Sequence, residues 1–322
     1  MPKKNQSPIA VAFCFDENMW MLAGVAIRSL LYHKSPGRAY NIYCVVPPDL
    51  ADEKRSELAD IVARADAESC IIFLNANSDF NKSVVRQYTV GIYYRFMLAR
   101  LLPDVDRIIY CDADVAFCGP LDALYDINMA DNIIAGVRDV AQGRPYPAAA
   151  NGYINSGVLV MNLAEIRRRN MYSRWRELSM RDDYAYPDQD ILNQTCDGKI
   201  LYLPPIYNYM PGAGNRMAGA IANGVYSARE CEMAAKNPVI IHYILRQPWN
   251  GRANVLGHLW WRYAAMTPFY DAFLARLRQS ADVIIHRVLL FNFINIMTVK
   301  VRQNLVKYYL FGIIPIIKVK SV

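Results

Sequence analysis

The run Arg107-Ile-Ile-Tyr-Cys-Asp-Ala-Asp-Val115 holds the residues best suited to chemistry in this chain. Ile108, Ile109 and Tyr110 read as a short buried strand that ends at two carboxylates, Asp112 and Asp114. In extended backbone residues i and i+2 point to the same side, so two hard oxygen ligands converge where the strand leaves its sheet. Such a pair suits a divalent ion that must also hold a phosphate. Mg²⁺- and Mn²⁺-type sites take few carboxylates and leave positions for phosphate oxygens. In open α/β sheets these sites form beyond the carboxyl ends of the strands. The triplet alone is short and weakly specific; its surroundings decide what it means.

The elements around it alternate. Residues 9–15 form a β-rich run, 20–32 carry helical spacing through Leu22, Ala26, Ser29 and Leu30, and 41–46 form a second strand stopped by Pro47 and Pro48. Asp49 is the expected N-cap of a helix with Asp52 and Glu53 in its first turn. A strand over 70–74, a helix over 92–102 and the strand 107–111 follow. Beyond the acidic pair, 133–137 and 153–161 are strand-like, 163–180 is an amphipathic helix, and 204–219 is a Pro- and Gly-rich loop. A late strand over 239–243 and a helix over 258–277 complete the pattern. This alternation predicts a mostly parallel central sheet flanked by helices. The simplest division is one catalytic domain over residues 1–280 and a C-terminal appendage over 281–322.

Composition excludes several function classes. The 322 residues, 54% hydrophobic and 20% charged, describe a globular protein able to bury a large core. Seven cysteines is an odd number, no Cys-x-x-Cys pair occurs, and Cys14, Cys44 and Cys111 lie in apolar runs. That usage fits reduced thiols and argues against a disulfide scaffold or a zinc site. The apolar run after Met1-Pro-Lys-Lys is too short for a signal-peptide core, and no stretch reaches the roughly 18 apolar residues of a spanning helix. A cytoplasmic protein is expected. Net charge is +7, but Arg287, Lys300, Arg302, Lys307, Lys318 and Lys320 supply six of it within residues 283–322, where no acid occurs. The remaining body is nearly neutral, which argues against nucleic acid as a partner.

Five further pieces flank the acidic pair: Phe13-Cys-Phe-Asp16-Glu-Asn18, Tyr94-Arg95, Tyr153-Ile-Asn155-Ser-Gly157-Val, Asp188-Gln189-Asp190-Ile-Leu-Asn193, and Ile241-His242-Tyr243 with Pro248-Trp249. In this order, with Asp112-Ala113-Asp114, they resemble glycosyltransferase family 8, which includes bacterial lipopolysaccharide galactosyl- and glucosyltransferases and the glycogenins. The resemblance runs over about residues 10–249. It implies a GT-A (nucleotide-diphospho-sugar transferase) fold with a C-terminal helical appendage, a divalent metal and retention of anomeric configuration. Position by position it implies that Asp16 and Asn18 hold the uracil and ribose of a UDP-sugar. Asp112, Asp114 and His242 match the ligands of Mn²⁺, or of Mg²⁺ in its place. Arg95, Ala113, Asp139, Asn155 and Asp188 match the surroundings of the donor, Gln189 lies beneath the anomeric carbon, and Tyr186 and Pro211 line the acceptor pocket. The family often has a glycine and a lysine before Pro-Trp. Here Tyr243-Ile-Leu-Arg246-Gln247 has neither, so Arg246, a planar fork instead of a point charge, is expected at the diphosphate. Met19 or Trp20 would give the base its stacking surface.

The chemistry of these groups agrees. A metal neutralises a departing diphosphate as a Lewis acid. The amide oxygen of Gln189 and the carboxylates Asp188 and Asp190 favour positive charge developing on the sugar ring. Retaining hydrolases place a carboxylate nucleophile there; an amide in that place favours front-side transfer, with double displacement through Asp190 as the alternative. Two other readings stay open. An apolar strand ending in Asp-x-Asp-Val also resembles the first motif of haloacid-dehalogenase-type phosphatases, with Asp112 as nucleophile, and the altered Arg246 segment admits an inactive paralogue.

In the basic tail, Leu290, Ile294, Met297, Val301, Leu305 and Tyr308 follow spacings of three and four, which predicts an amphipathic helix within 283–310. Basic, apolar and free of acids, such a segment fits an interfacial anchor on an anionic membrane surface, with a terminal helix packed on the domain or at a subunit interface as the alternative. The expectation is therefore a hexosyltransferase on the inner face of the cytoplasmic membrane. It would use UDP-glucose or UDP-galactose and act on a lipopolysaccharide or another glycolipid or saccharide acceptor.

Overall fold

The computed structural model describes residues 7–81, 83, 89–140, 152–212, 214–244, 246–251, 254–280, 284–290, 294–302, 305–311 and 314–320. It divides into two compact units, Met1–Leu245 and Arg246–Val322, so the division falls before the expected residue 280.

In the first unit, Ile9–Cys14 (β1) leads through Trp20–Tyr32 (α1) to Tyr40–Val46 (β2), and Asp52–Ala65 (α2) leads on to Cys70–Asn75 (β3). The cap of α2 is Ala51, not Asp49, and Asp52 and Glu53 occupy its first turn. A 3-10 stretch, Val90–Met97, runs into the short helix Leu98–Leu101 (α3) and then Arg107–Cys111 (β4). The aromatic and β-branched residues Val90, Ile92, Tyr93 and Tyr94 crowd a regular α-helix, which explains the tighter coil in place of one helix over 92–102. Val115–Phe117 (β5), Asp122–Tyr125 (α4), Ile134–Arg138 (β6) and Ile154–Asn162 (β7) follow. The expected long helix over 163–180 is two, Leu163–Arg168 (α5) and Met171–Leu178 (α6). They are separated at Asn170, whose φ of 50° is left-handed backbone that asparagine tolerates. Pro187–Thr195 (α7), Ile200–Leu203 (β8), Gly214–Ala222 (α8), Ala228–Lys236 (α9) and Ile240–His242 (β9) complete the unit. Part of the loop expected over 204–219 is therefore helical.

The large sheet has the order β3-β2-β1-β4-β7-β6-β8. All its neighbours are parallel except β7, which runs antiparallel to both β4 and β6. β1 is buried along its whole length and β4 from Ile108 to Cys111, as parallel strands covered on both faces must be. One core face gathers Phe80, Tyr93, Phe96 and Trp175, with Phe96 and Trp175 rings 4.9 Å apart. The reversal of β7 matters for function. Its first residues lie where β4 ends, and Cys111 pairs with Val158.

The second unit opens with two helices, Gly257–Ala264 (α10) and Tyr270–Ser280 (α11), where one was expected over 258–277. Pro268 lies between them and cannot continue a helical ladder. The basic tail is not the amphipathic helix that its spacing suggested. It forms four antiparallel strands, Ile284–Leu290 (β10), Ile294–Arg302 (β11), Leu305–Leu310 (β12) and Ile314–Lys320 (β13). The tail is dense in isoleucine and valine, whose stiff side chains favour the pleated strand over the helix. Composition outweighed the period.

Candidate active site

β4 ends at Cys111, and the chain turns through Asp112, Ala113 and Asp114 before β5 starts at Val115. The two carboxylates converge through this turn and not through strand alternation. β5 pairs antiparallel with β9, setting Val115 opposite His242, and the amide of Tyr243 donates to the carbonyl of Asp114 at 3.0 Å. His242 thereby reaches the acidic pair from far along the chain. The candidate ligand atoms of Asp112, Asp114 and His242 lie within 4.8 Å of one another.

These residues fit a metal. His242 is 2% exposed, and its Nε2 lies 3.1 Å from Asp114 Oδ1 and 3.8 Å from Asp112 Oδ2 but makes no hydrogen bond. A buried ring nitrogen facing two carboxylates without a hydrogen bond makes with them a ligand set, two oxygens and one imidazole, of the kind Mn²⁺ accepts. The opposite ring atom, Nδ1, sits 3.0 Å from Asn208 Oδ1. Burial disfavours the imidazolium most strongly, yet the surrounding carboxylates, Asp114 first and then Asp112 and Asp139, together raise the His242 pKa. Burial likewise opposes ionisation of Asp114, and His242 reverses it, so the Asp114 pKa is lowered. Gly157 leaves the room: a Cβ there would stand 2.1 Å from His242 Cε1 and 2.8 Å from Asp112 Oδ2.

Arg95 braces the other side. It is 4% exposed, and its guanidinium reaches Asp112 Oδ1 at 2.9 Å and Asp188 Oδ2 at 3.2 Å. It also donates to the carbonyls of Ser156 at 2.7 Å and Ile92 at 3.0 Å, and stacks 4.3 Å over the Tyr110 ring. Tyr110 donates its hydroxyl to Asp112 as well. Burial raises the pKa of Asp188 against the pull of Arg95. Ser156 Oγ donates to the same carboxylate at 3.0 Å.

Gln189 enters from α7. Its Oε1 accepts from the Ser156 amide at 2.9 Å and from Asn155 Nδ2 at 3.2 Å, while its Nε2 donates to Asp139 Oδ2 at 2.9 Å. A cavity of about 470 Å³ opens over these groups, lined by Asp16, Met19, Arg95, Asp112, Ala113, Asp114, Asn155, Tyr186, Asp188, Gln189 and His242 among others. Cys14 also lines it, with burial driving its thiol pKa well up.

Most of the expected site residues are thus brought together; within the first unit Asn18, Asp139, Asp190 and Pro211 do not line the cavity. Asn18 is exposed in the turn after Asp16, its amide donating to Asp16 Oδ1 at 2.9 Å. Asp190 has both oxygens engaged, one by the Tyr153 hydroxyl at 2.6 Å and one by the Tyr186 amide at 2.9 Å. Pro211 is buried next to Met210. Arg246 opens the second unit, exposed, its carbonyl accepting from Asn254 at 2.7 Å. Trp20 lies under Lys54, whose Nζ is 5.6 Å from the ring. Sequence reasoning missed Tyr110, Ser156 and Asn208. Ser156 sat inside a quoted motif, whereas Asn208 lies in a stretch read as loop.

Comparison with known proteins gives the same reading. Residues 10–253 match the family described as glycosyl transferase family 8. The chain is 25% identical over 282 residues to lipopolysaccharide 1,3-galactosyltransferase of Salmonella typhimurium, covering 81% of this chain and 77% of that protein. It is 31% identical over 254 residues to glycosyltransferase GlyF of Streptococcus pneumoniae, covering 74% of this chain and 56% of that one. The solved galactosyltransferase LgtC, in complex with donor and acceptor sugar analogues, shares the fold at a TM-score of 0.67 and 23% identity, over 81% of this chain and 96% of LgtC. The bifunctional glycosyltransferase WbbM does so at 0.71 and 20%, over 86% of this chain and 52% of WbbM. The phosphatase alternative ends here, since the family match takes in Asp112 together with Asp114 and His242. Turn, reversed strand and distant histidine meet in one cavity on a GT-A-like sheet, and the chain that folds this way is an enzyme belonging to glycosyl transferase family 8.

Proposed function

We propose that the chain transfers glucose or galactose from a UDP-sugar to the saccharide of a lipopolysaccharide or related glycolipid. The transfer retains the anomeric configuration and uses Mn²⁺, or Mg²⁺, held by Asp112, Asp114 and His242. One observation carries this reading: the metal-ligating groups, the buried Arg95 and the Gln189 amide all open on a single cavity beyond the carboxyl end of β4. A metal there supplies Lewis-acid neutralisation of the departing diphosphate. Asp16 and Met19 form the nucleotide end of the cavity, Asp16 as hydrogen-bond acceptor and Met19 as apolar surface for the base. Arg95, with its donors engaged by Asp112, Asp188, Ser156 and Ile92, fixes the two carboxylates instead of meeting the phosphates. Gln189 Oε1 already accepts two or more hydrogen bonds. An oxygen so engaged is a poor nucleophile, which supports front-side transfer with the leaving phosphate taking the acceptor proton. Asp190, with both oxygens engaged, is poorly suited to a double displacement. Tyr186 stands at the acceptor side.

The test is UDP release by purified protein across a panel of UDP-sugars, with Mn²⁺ or with chelator. One hexose donor should be cleaved in a metal-dependent way, and Asp114→Asn should cut the rate by about 10³-fold. Several kcal/mol of charge stabilisation corresponds to that loss at about 1.4 kcal/mol per tenfold. Release unaffected by chelator or by the substitution would sink the reading.

We further propose that the tail meets an anionic membrane surface on the cytoplasmic side. No helix among the described residues is long and apolar enough to cross a membrane. The tail's strand register sets Lys300 opposite Lys307 and Lys307 opposite Lys318, a row of three cations at one register position. Each basic residue near such a surface contributes about 1 kcal/mol. Co-sedimentation with vesicles containing phosphatidylglycerol, falling steeply with salt and absent with purely zwitterionic vesicles, is the expected result; equal binding to both would refute it.

A further inference from the structure

The amides around Gln189 form a chain with one direction. Backbone N–H groups can only donate, and two of them fix its sense. The amide of Gly157 donates to Asn155 Oδ1 at 3.0 Å, and the amide of Ser156 donates to Gln189 Oε1 at 2.9 Å. The oxygen ends of both side chains are therefore set by the backbone of β7. Asn155 Oδ1 also faces Asn208 at 2.8 Å, so the Asn208 atom there must be its donor, Nδ2. That turns Asn208 Oδ1 towards His242 Nδ1, 3.0 Å away. An acceptor in that place requires the proton on Nδ1, and the lone pair of a neutral ring then lies on Nε2, towards Asp112 and Asp114. At the other end Asn155 Nδ2 donates to Gln189 Oε1, and Gln189 Nε2 to the Asp139 carboxylate.

We propose that Asn208 is a two-sided positioning residue. It sets the His242 tautomer that a metal needs and ties that ligand, through Asn155, to the orientation of Gln189. Asn208 is 1% exposed. It follows Pro205–Tyr207 directly and precedes Tyr209, which bridges to Ile241 and accepts the His242 amide at 2.8 Å. Its backbone is thus pinned beside β9, and its side chain spans from the metal ligand to β7. Partners that orient a metal-bound histidine are typically worth about 10- to 100-fold in metal affinity. Here the same amide would also carry that order to the residue beneath the reacting carbon.

The inference rests on the metal role proposed above for His242, and two variants separate its halves. Asn208→Leu keeps the volume and removes both polar atoms. Asn208→Asp keeps an acceptor for Nδ1–H but sets a second acceptor against Asn155 Oδ1. Mn²⁺ titration followed by electron paramagnetic resonance should show affinity falling about 10- to 100-fold in the leucine variant. In the aspartate variant affinity should persist while the turnover number drops and KM for the donor changes little. A purely structural residue would lower the melting temperature without this split. Equal Mn²⁺ affinity in wild type and Asn208→Leu, or equal loss in both variants, would overturn the proposal. Nitrogen-15 spectra of the four histidines, taken where the rings are neutral, give a second readout. His242 should be protonated on Nδ1 in the wild type, and an Nε2–H ring would refute the relay. A wild type that binds no Mn²⁺ but shows the Nδ1–H ring would remove the metal reading and leave the tautomer assignment standing. Should Asn208→Leu fail to fold, the aspartate variant and the wild-type spectrum decide the matter.

Discussion

Gly157→Ala is expected to weaken metal binding by about 10²-fold or more while leaving a folded protein. The added methyl would lie 2.1 Å from His242 Cε1 and 2.8 Å from both His242 Nδ1 and Asp112 Oδ2, well inside contact distance. None of these neighbours is the loose end of a flexible chain. His242 is held by its strand pairing with β5 and by Asn208, and Asp112 by Arg95 and Tyr110. The backbone of Gly157 cannot retreat easily, because its carbonyl accepts from the Asp112 amide at 2.8 Å and its own amide is bonded to Asn155. Overpacking of this kind costs about 1–3 kcal/mol, a cost most domains survive. The functional loss should be far larger. A displacement of about 1 Å at a catalytic group can cost about 10²-fold, and here the imidazole must swing away from both carboxylates. The expected result is Mn²⁺ affinity reduced by about 10²-fold or more, transfer reduced in step, and a melting temperature lowered by only a few degrees. Titration of Mn²⁺ and a thermal melt on one preparation check it; wild-type metal affinity would mean that His242 is not held as described. Gly157→Ser should behave no better, since its Cβ meets the same atoms.

The residues that carry the site were legible to different depths. Strand β4 and its two acids stood out because an apolar run ending in paired carboxylates suggests a metal site, although only the ordered motifs around it gave that pair its meaning. Their convergence through a turn did not, because spacing of two reads alike in a strand and in a tight turn. The antiparallel course of β7 could not be read from alternation of strands and helices, since pattern reports element type and not direction. Yet that reversal brings Asn155, Ser156 and Gly157 to the end of β4. Asn208 was invisible for a related reason. An asparagine after Pro-Pro-Ile-Tyr reads as loop chemistry, and only the bridge from Tyr209 to Ile241 shows that it faces His242. The tail failed differently. Its apolar residues satisfy three-and-four spacing, but its isoleucines and valines weigh towards strands, and the four strands Ile284–Leu290 to Ile314–Lys320 follow composition. Asp190 shows the limit of motif reading: adjacent to Gln189 in sequence, it points its oxygens at Tyr153 and the Tyr186 amide.

Arg95→Met should produce the largest combined loss of stability and activity. The guanidinium stands between Asp112 and Asp188, with two carbonyls and the Tyr110 ring completing its surroundings. Methionine fills part of the volume but leaves two carboxylates, the buried Ser156 carbonyl and the half-buried Ile92 carbonyl without their shared donor. Removing one partner of a buried ion pair costs about 3–5 kcal/mol, enough to unfold a marginal domain. The pH dependence follows from Asp188. Burial already raises its pKa in the folded state despite Arg95, so the folded protein binds this proton more tightly than the unfolded chain. For an acid shifted upward, that contribution favours the fold less as pH rises through the ordinary carboxylate range and towards the raised value. Without Arg95 the shift must grow, because the largest influence opposing it is gone. The deficit of Arg95→Met relative to wild type should therefore be greater at pH 7 than near pH 4, as urea unfolding at the two pH values would show. A pH-independent deficit would mean that Asp188 does not carry the cost. Arg95→Lys separates charge from geometry. A lysine restores a cation but not the fork that reaches both carboxylates, so stability should recover in part while transfer stays low. Full recovery of both would show that charge alone suffices and that the bracing geometry is not what the reaction needs.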